Sequence, residues 1–264
     1  MAAKDSVHEE PHSVGADELT VIKGGSGKPL LVLHEELGYP GWMNWNEALA
    51  ARHTLITPLY PGFGKSPRAD WIMNVRDLAS FIARFVREQN LAPIDVIGFS
   101  FGGWIAAEMA ANDPAIFSKM VLVAPAGIRP PDGDIMDMFT VPAIIYLRES
   151  VRDASKTAEF AALYDGGLSP EQYEAFEDAR AESARLAWQP YMYNPSLPHL
   201  LDGTVKAPTL IVWGKDDRTV PASAAGVYNK SIKGSRLVAF EGCGHRPEVE
   251  KSEQFIKEVQ NFLA

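Results

Sequence analysis

The chain has 264 residues, of which 46% are hydrophobic and 22% charged, and a formal net charge of −9. That is the length of one large domain with an insertion and the composition of an ordinary globular protein, and the acidic balance argues against nucleic acid or an anionic membrane as a partner. No apolar run reaches the ~20 residues of a membrane-spanning helix, the N-terminus has no apolar signal core, and the lone Cys243 excludes an internal disulfide and suits a reducing cytosol.

In chain order, residues 1–15 read as a loose polar tail. Leu30 to Leu33 form a short apolar run that ends in His34, Glu35 and Glu36. His53 to Thr57, Ile94 to Phe99, Met120 to Val123, Leu210 to Trp213 and Leu237 to Phe240 are similar runs. Most are apolar on consecutive positions, the pattern of strands buried on both faces in a parallel sheet. Between them lie helical patterns, with Val75, Leu78, Ile82 and Phe85 in one and Phe255, Ile256, Val259 and Phe262 in another, spaced by three and four. Alternation of this kind predicts an α/β fold, a mostly parallel sheet with helices on both faces. The expected core covers 16–126 and 207–264. From about Gly127 to Lys206 the strand rhythm stops, and helical patterns are broken by Pro and Gly, as in GGLSP at 166–170. Residues 127–206 are therefore expected to be a helical insertion between two strands, covering the end of the sheet as a lid.

The run IDVIG leads into Gly98-Phe99-Ser100-Phe101-Gly102-Gly103, a G-x-S-x-G ahead of a helix-forming stretch. A sharp strand-to-helix turn needs small residues around its centre, and it leaves the Ser100 hydroxyl exposed as a candidate nucleophile. The helix start supplies free N–H groups, so the Phe101 N–H is a candidate oxyanion donor. Past the strand at 210–214 come Asp216 and Asp217, either of which could orient a base. Past the strand at 237–240 comes Gly242-Cys243-Gly244-His245, a loop that presents His245 as a general base. No metal-binding spacing is present and no cofactor is implied.

Together GFSFGG, PGFGKSP at 61–67, WGKDDRTVP at 213–221 and GCGH at 242–245 resemble the α/β-hydrolase family, over about Leu19 to Leu263. The resemblance implies that Ser100 is the nucleophile and His245 the base. It selects Asp217 as the acid, by its position between Gly214 and Pro221. It also places the second oxyanion N–H on the loop after His34, at Glu36, where Glu35 replaces the usual Gly. A carboxylate about 6 Å from an oxyanion, at an effective dielectric of about 20, opposes it by about 3 kcal/mol. Three readings of this turn follow. Both Glu side chains turn outward, to solvent or an Arg such as Arg129 or Arg246; one lines the pocket as an acid, with Glu35 the candidate; or the hole is impaired. On the first, Glu35→Gly leaves the fold intact and changes ester kcat by less than about tenfold. Trp104, Phe139, Tyr146 and Trp188 are candidate pocket walls, or simply packing.

The implied activity is hydrolysis of a small or medium carboxylic ester through an acyl-enzyme on Ser100. The partner is then a small-molecule ester, with no nucleic acid or membrane involved, in the cytoplasm. PGFGKSP and VLVAPAGI also look like the branch that cleaves C–C bonds in β-diketone or meta-cleavage substrates, although Arg246 follows His245 where those enzymes carry Trp. A slow-turnover receptor on the same fold is a third possibility.

Overall fold

The computed structural model describes residues 6–164 and 167–264. An eight-stranded sheet is ordered β1-β2-β4-β3-β5-β6-β7-β8. The strands are β1 (His8–Val14), β2 (Asp17–Gly25), β3 (Lys28–Leu33), β4 (His53–Pro58), β5 (Ile94–Phe99), β6 (Phe117–Val123), β7 (Thr209–Gly214) and β8 (Arg236–Phe240). From β4 to β8 along the sheet every pairing is parallel, while β1 and β2 add an antiparallel hairpin at one edge. Strands β5 and β7 are buried at every position, as central parallel strands must be when helices cover both faces.

The helices are amphipathic where they meet the sheet. In α2 (Val75–Glu88), Val75, Leu78, Ala79, Phe81, Ile82, Phe85 and Val86 are buried on one face. The Asn74 side chain caps it, accepting from the Asp77 N–H at 3.0 Å. Helix α3 (Phe101–Asn112) is buried along nearly its whole length, consistent with its Ala- and Gly-rich sequence between sheet and neighbours. Helix α10 (Ser252–Leu263) buries Phe255, Val259 and Leu263; α1 (Asn44–Ala50), α8 (Ser223–Ser231) and α9 (Pro247–Glu250) complete the core layers.

Between β6 and β7 no strand intervenes among the described residues. The segment holds α4 (Ala143–Glu149), a 3-10 turn at Ala154–Lys156, α5 (Ala158–Tyr164), α6 (Pro170–Ala187) and α7 (Leu197–Leu201). Helix α6 begins with a reciprocal cap: Gln172 N–H donates to Ser169 Oγ and Ser169 N–H to Gln172 Oε1. Pro170 sits at the first helical position, where its missing N–H costs nothing. Gly166, part of the GGLSP turn, lies outside the described residues.

The expected loose tail needs correction. Residues 1–5 lie outside the described residues, but His8–Val14 is a strand in full register with β2, from His8 opposite Lys23 to Val14 opposite Asp17. It is held by polar contacts: Glu10 with Lys23 and His12, and Glu9 with Lys65 at 2.6 Å. Only Val14 in it is buried, and Pro11 is tolerated because the strand is an edge. Its partner β2 also escaped the reading of apolar runs, because it alternates, with Leu19 and Val21 buried between less buried neighbours.

Candidate active site

Ser100 sits where β5 turns into α3, with φ 46° and ψ −110°. A non-Gly residue in that region stores strain of about 1–3 kcal/mol, and the surroundings leave the chain no alternative. A Cβ on Gly98 would lie 2.6 Å from the Gly102 carbonyl oxygen. On Gly102 it would lie 2.2 Å from the Leu33 carbonyl oxygen and 2.6 Å from that of His34. The elbow is thus pressed against the end of β3 at Gly102 and folded against its own helix start at Gly98, and these two contacts are why glycine is required on either side of the serine. Ser100 N–H donates to Val123 O at 2.9 Å, tying the turn to β6. The Ser100 Oγ is buried and has no hydrogen-bond partner among the described residues.

Asp217 follows β7 and His245 follows β8. His245 Nδ1 bonds Asp217 Oδ2 at 2.7 Å. Asp217 is fixed in turn: Oδ2 accepts from Trp213 Nε1 at 2.9 Å, and Oδ1 from the Thr219 and Val220 N–H groups at 2.8 and 2.9 Å. With Nδ1 donating to Asp217, His245 Nε2 is left as the acceptor, buried and without a partner among the described residues. Burial disfavours the imidazolium, but the charge and hydrogen bond of Asp217, with Glu36 and Glu248 beyond, outweigh it and raise the His245 pKa to about 9. Gly214 is required here too, since a Cβ would meet the Gly244 carbonyl oxygen at 1.9 Å. Asp216, the other carboxylate considered, is about half exposed and pairs with Arg152 at 3.0 Å.

The turn after β3 divides the two carboxylates between the expected readings: Glu35 turns to Arg246, and Glu36 does not reach an Arg or solvent. His34 stacks on Tyr60 at 3.7 Å and is held neutral by burial, its pKa lowered to about 3. Its Nδ1 donates to Glu35 O at 2.9 Å while Nε2 accepts from Tyr60 N–H at 3.4 Å, so it braces the loop. Gly38, at φ 90°, closes the turn by donating to Glu35 O at 3.1 Å. Neither Glu faces solvent: both are buried. Glu35, the candidate pocket acid, is instead ion-paired with buried Arg246. Its neighbour Glu36 is the carboxylate near the chemistry. Glu36 Oε1 accepts from the Tyr146 hydroxyl at 2.6 Å, and Oε2 is buried with no partner among the described residues.

The insertion is docked on this arrangement. Helix α4 bridges two site loops, through Tyr146 to Glu36 and through the Ser150 carbonyl, which accepts from His245 N–H at 2.8 Å. From α6, the Ser183 hydroxyl donates to Glu36 O at 2.8 Å. Of the four expected pocket walls, only Tyr146 is brought to these residues. Trp104 turns away: its indole N–H donates to buried Glu108 at 3.0 Å, and it lines a groove with Asn74, Arg76, Gln189 and Tyr193 that none of Ser100, Asp217 and His245 borders. Phe139 packs edge-on to Trp188 at 5.3 Å, and Trp188 is 55% exposed, so this pair packs within the insertion near its surface.

The α/β-hydrolase family matches residues 30–258 of this chain. The chain belongs to that family. It is 28% identical to the 2-hydroxy-6-oxo-2,4-heptadienoate hydrolase of Pseudomonas putida, with 100% of this chain and 95% of that one covered. It is 29% identical to the 2-hydroxy-6-oxononadienedioate/2-hydroxy-6-oxononatrienedioate hydrolase of Escherichia coli, over 94% of this chain and 88% of that one. Among solved structures, a protein from Acinetobacter baumannii that carries the name of a lipase superposes with a TM-score of 0.76 at 27% identity, covering 98% of this chain and 92% of that one.

The burial of two charged residues of this family member lay beyond the sequence reading. Arg246 and Glu248, next to His245, are both buried, and burial raises the Glu248 carboxyl to about 7 against the opposing pull of Arg246. A charged residue directly after the histidine and another two positions on were the only sequence sign of them. Among the described residues no cluster of three His, Cys, Asp or Glu is placed to hold a metal, and no helix is long and apolar enough to cross a membrane.

Proposed function

We propose that this α/β hydrolase cleaves carboxylic esters of small or medium acyl chains that carry no negative charge. Ser100 Oγ attacks the ester carbonyl carbon while His245 Nε2 takes its proton. Asp217 holds the imidazole in the tautomer that leaves Nε2 free and stabilises the imidazolium. The Phe101 and Glu36 N–H groups bind the oxyanion. Collapse expels the alcohol, protonated by His245, and leaves an acyl-enzyme that water hydrolyses by the same steps in reverse roles. The observation that carries this reading is the bare Nε2 of His245, anchored through Nδ1 to a fully bonded Asp217, at the same edge of the sheet as a strained Ser100 whose hydroxyl is uncommitted. The insertion serves as the lid, since α4 lies across both the Glu36 and the His245 loops.

The exclusion of anionic esters rests on charge. Among the described residues no cation pairs with Glu36, and Arg246 is already paired with Glu35. A substrate bearing a carboxylate would meet that negative charge in a poorly screened interior. The second reading, hydrolysis of a C–C bond in a 2-hydroxy-6-oxodienoate, is favoured by the named activities of the two curated relatives, which match nearly end to end. The test is kcat/KM for p-nitrophenyl butyrate beside 2-hydroxy-6-oxohepta-2,4-dienoate, for wild type and Ser100→Ala. Rapid, Ser100-dependent release from the ester with slow dienoate cleavage supports the esterase; the reverse order assigns the C–C reaction. Stoichiometric binding with negligible turnover of both would make the protein a receptor.

A further inference from the structure

The mechanism above uses the backbone of Glu36 and leaves its side chain without a task. Glu36 is 1% exposed, yet among the described residues only one of its carboxylate oxygens is bonded. A carboxylate that served only to tie α4 to the β3 loop would bury fewer unmet acceptors, because a buried oxygen without a donor is costly. A Gln would make the same bond with Tyr146 without a charge. The location is informative as well. Gly102, two residues past Ser100, touches the carbonyls of Leu33 and His34, so the chain reaches Glu36 two residues beyond its contact with the elbow. Tyr146, which holds Oε1, lies on the helix whose end receives the His245 N–H. Glu36 is also one of the charges that raise the His245 pKa, so its carboxylate lies within electrostatic reach of the base, and its Oε2, like Ser100 Oγ and His245 Nε2, is buried without a partner among the described residues.

We propose that Glu36 Oε2 determines specificity: it accepts a hydrogen bond from a protonated amine next to the scissile bond, so ammonium esters are preferred over their neutral isosteres. The inference rests on the ester-hydrolase reading and narrows it to one substrate class. The pairing also resolves the conflict between a carboxylate and an oxyanion. Once the ammonium group has neutralised Glu36, the oxyanion forms beside a neutral pair, so the preference is felt in kcat as well as in KM. Tyr146 orients the carboxylate and is a positioning residue.

The test uses matched esters of equal shape. On the alcohol side, 2-(dimethylamino)ethyl acetate is compared with 3-methylbutyl acetate; on the acyl side, ethyl N,N-dimethylglycinate is compared with ethyl 3-methylbutanoate. Monoethyl succinate supplies the anionic case. In wild type at least one ammonium ester should exceed its isostere in kcat/KM by tenfold or more, with the anionic ester poorest. In Glu36→Gln that ratio should fall by tenfold or more, and Glu36→Asp, which keeps the charge but shortens the reach, should fall between. The readout is the ratio, so a general loss of activity does not mimic it. Equal loss on all esters, or an unchanged ratio, overturns the proposal. Calorimetric binding of the same pairs to Ser100→Ala, with and without Glu36→Gln, separates the two claims. Charge-dependent binding without any Ser100-dependent hydrolysis keeps the role of Glu36 and rejects the hydrolase reading. Ser100-dependent hydrolysis with no charge preference does the opposite.

Discussion

Glu35 and Glu36 are adjacent in the chain and meet different fates. Glu35 is paired with Arg246, while Glu36 is one of the groups that raise the pKa of His245. The earlier expectation for Glu35→Gly therefore changes: removing one member of a buried pair strands the other, at a cost of about 3–5 kcal/mol. Urea unfolding of Glu35→Gly should show that loss, and a stability within about 1 kcal/mol of wild type would contradict the pair. The raised pKa of His245 sets the pH dependence. As general base it must be neutral, so kcat/KM should climb with pH and level off above an inflection near 9. Glu36 is one cause of that elevation, so Glu36→Gln should move the inflection downward, and an unmoved profile would place Glu36 outside the electrostatic reach of the base. Asp217→Asn, which removes the acceptor for Nδ1, should lower kcat by about 10⁴-fold with the fold retained by circular dichroism.

At the scale of elements, the loop after β8 and the short helix α9 carry a second titration. Burial raises the Glu248 carboxyl from 4.5 to about 7. A raised acid binds more protons folded than unfolded, so its contribution is fully present below about pH 4.5 and is lost as pH rises through 7. Stability measured by urea unfolding should fall across that window, and Glu248→Gln should flatten the fall. A Glu248→Gln curve parallel to that of wild type would assign the pH dependence elsewhere. Helix α4 joins this loop to the β3 turn, which makes Tyr146 a coupling point between lid and site. Tyr146→Phe should alter the charge preference of the site more than it alters stability, a contrast read from kcat/KM ratios beside melting temperatures.

For the whole molecule, the sheet was legible where burial is two-sided. The runs at β5 and β7 announce themselves because nearly every position is apolar; Asp95 in β5 is the charged exception, buried and paired with Lys28. The edge hairpin was not legible: β1 is polar, contains Pro11, and owes its extended form to pairing with β2 rather than to its own composition. The Ser100 elbow was legible because close packing, against β3 at Gly102 and within the turn at Gly98, demands its glycines. Asp217 needed the family's spacing to be chosen over Asp216, since both follow β7 and only three dimensions distinguish the residue bonded to His245 from the one on Arg152. Arg246 was legible as one candidate partner for this turn, 211 residues from Glu35, but the bond of Glu36 to Tyr146, 110 residues away, was not, because only three dimensions bring α4 onto the β3 loop. The central claim is an acyl-enzyme on Ser100, and its most direct measurement is mass spectrometry of protein acid-quenched during turnover of p-nitrophenyl butyrate. The expected result is a butyryl group on the peptide containing Ser100, absent in Ser100→Ala; undiminished ester hydrolysis by Ser100→Ala, or a butyryl group on another residue, would contradict the account.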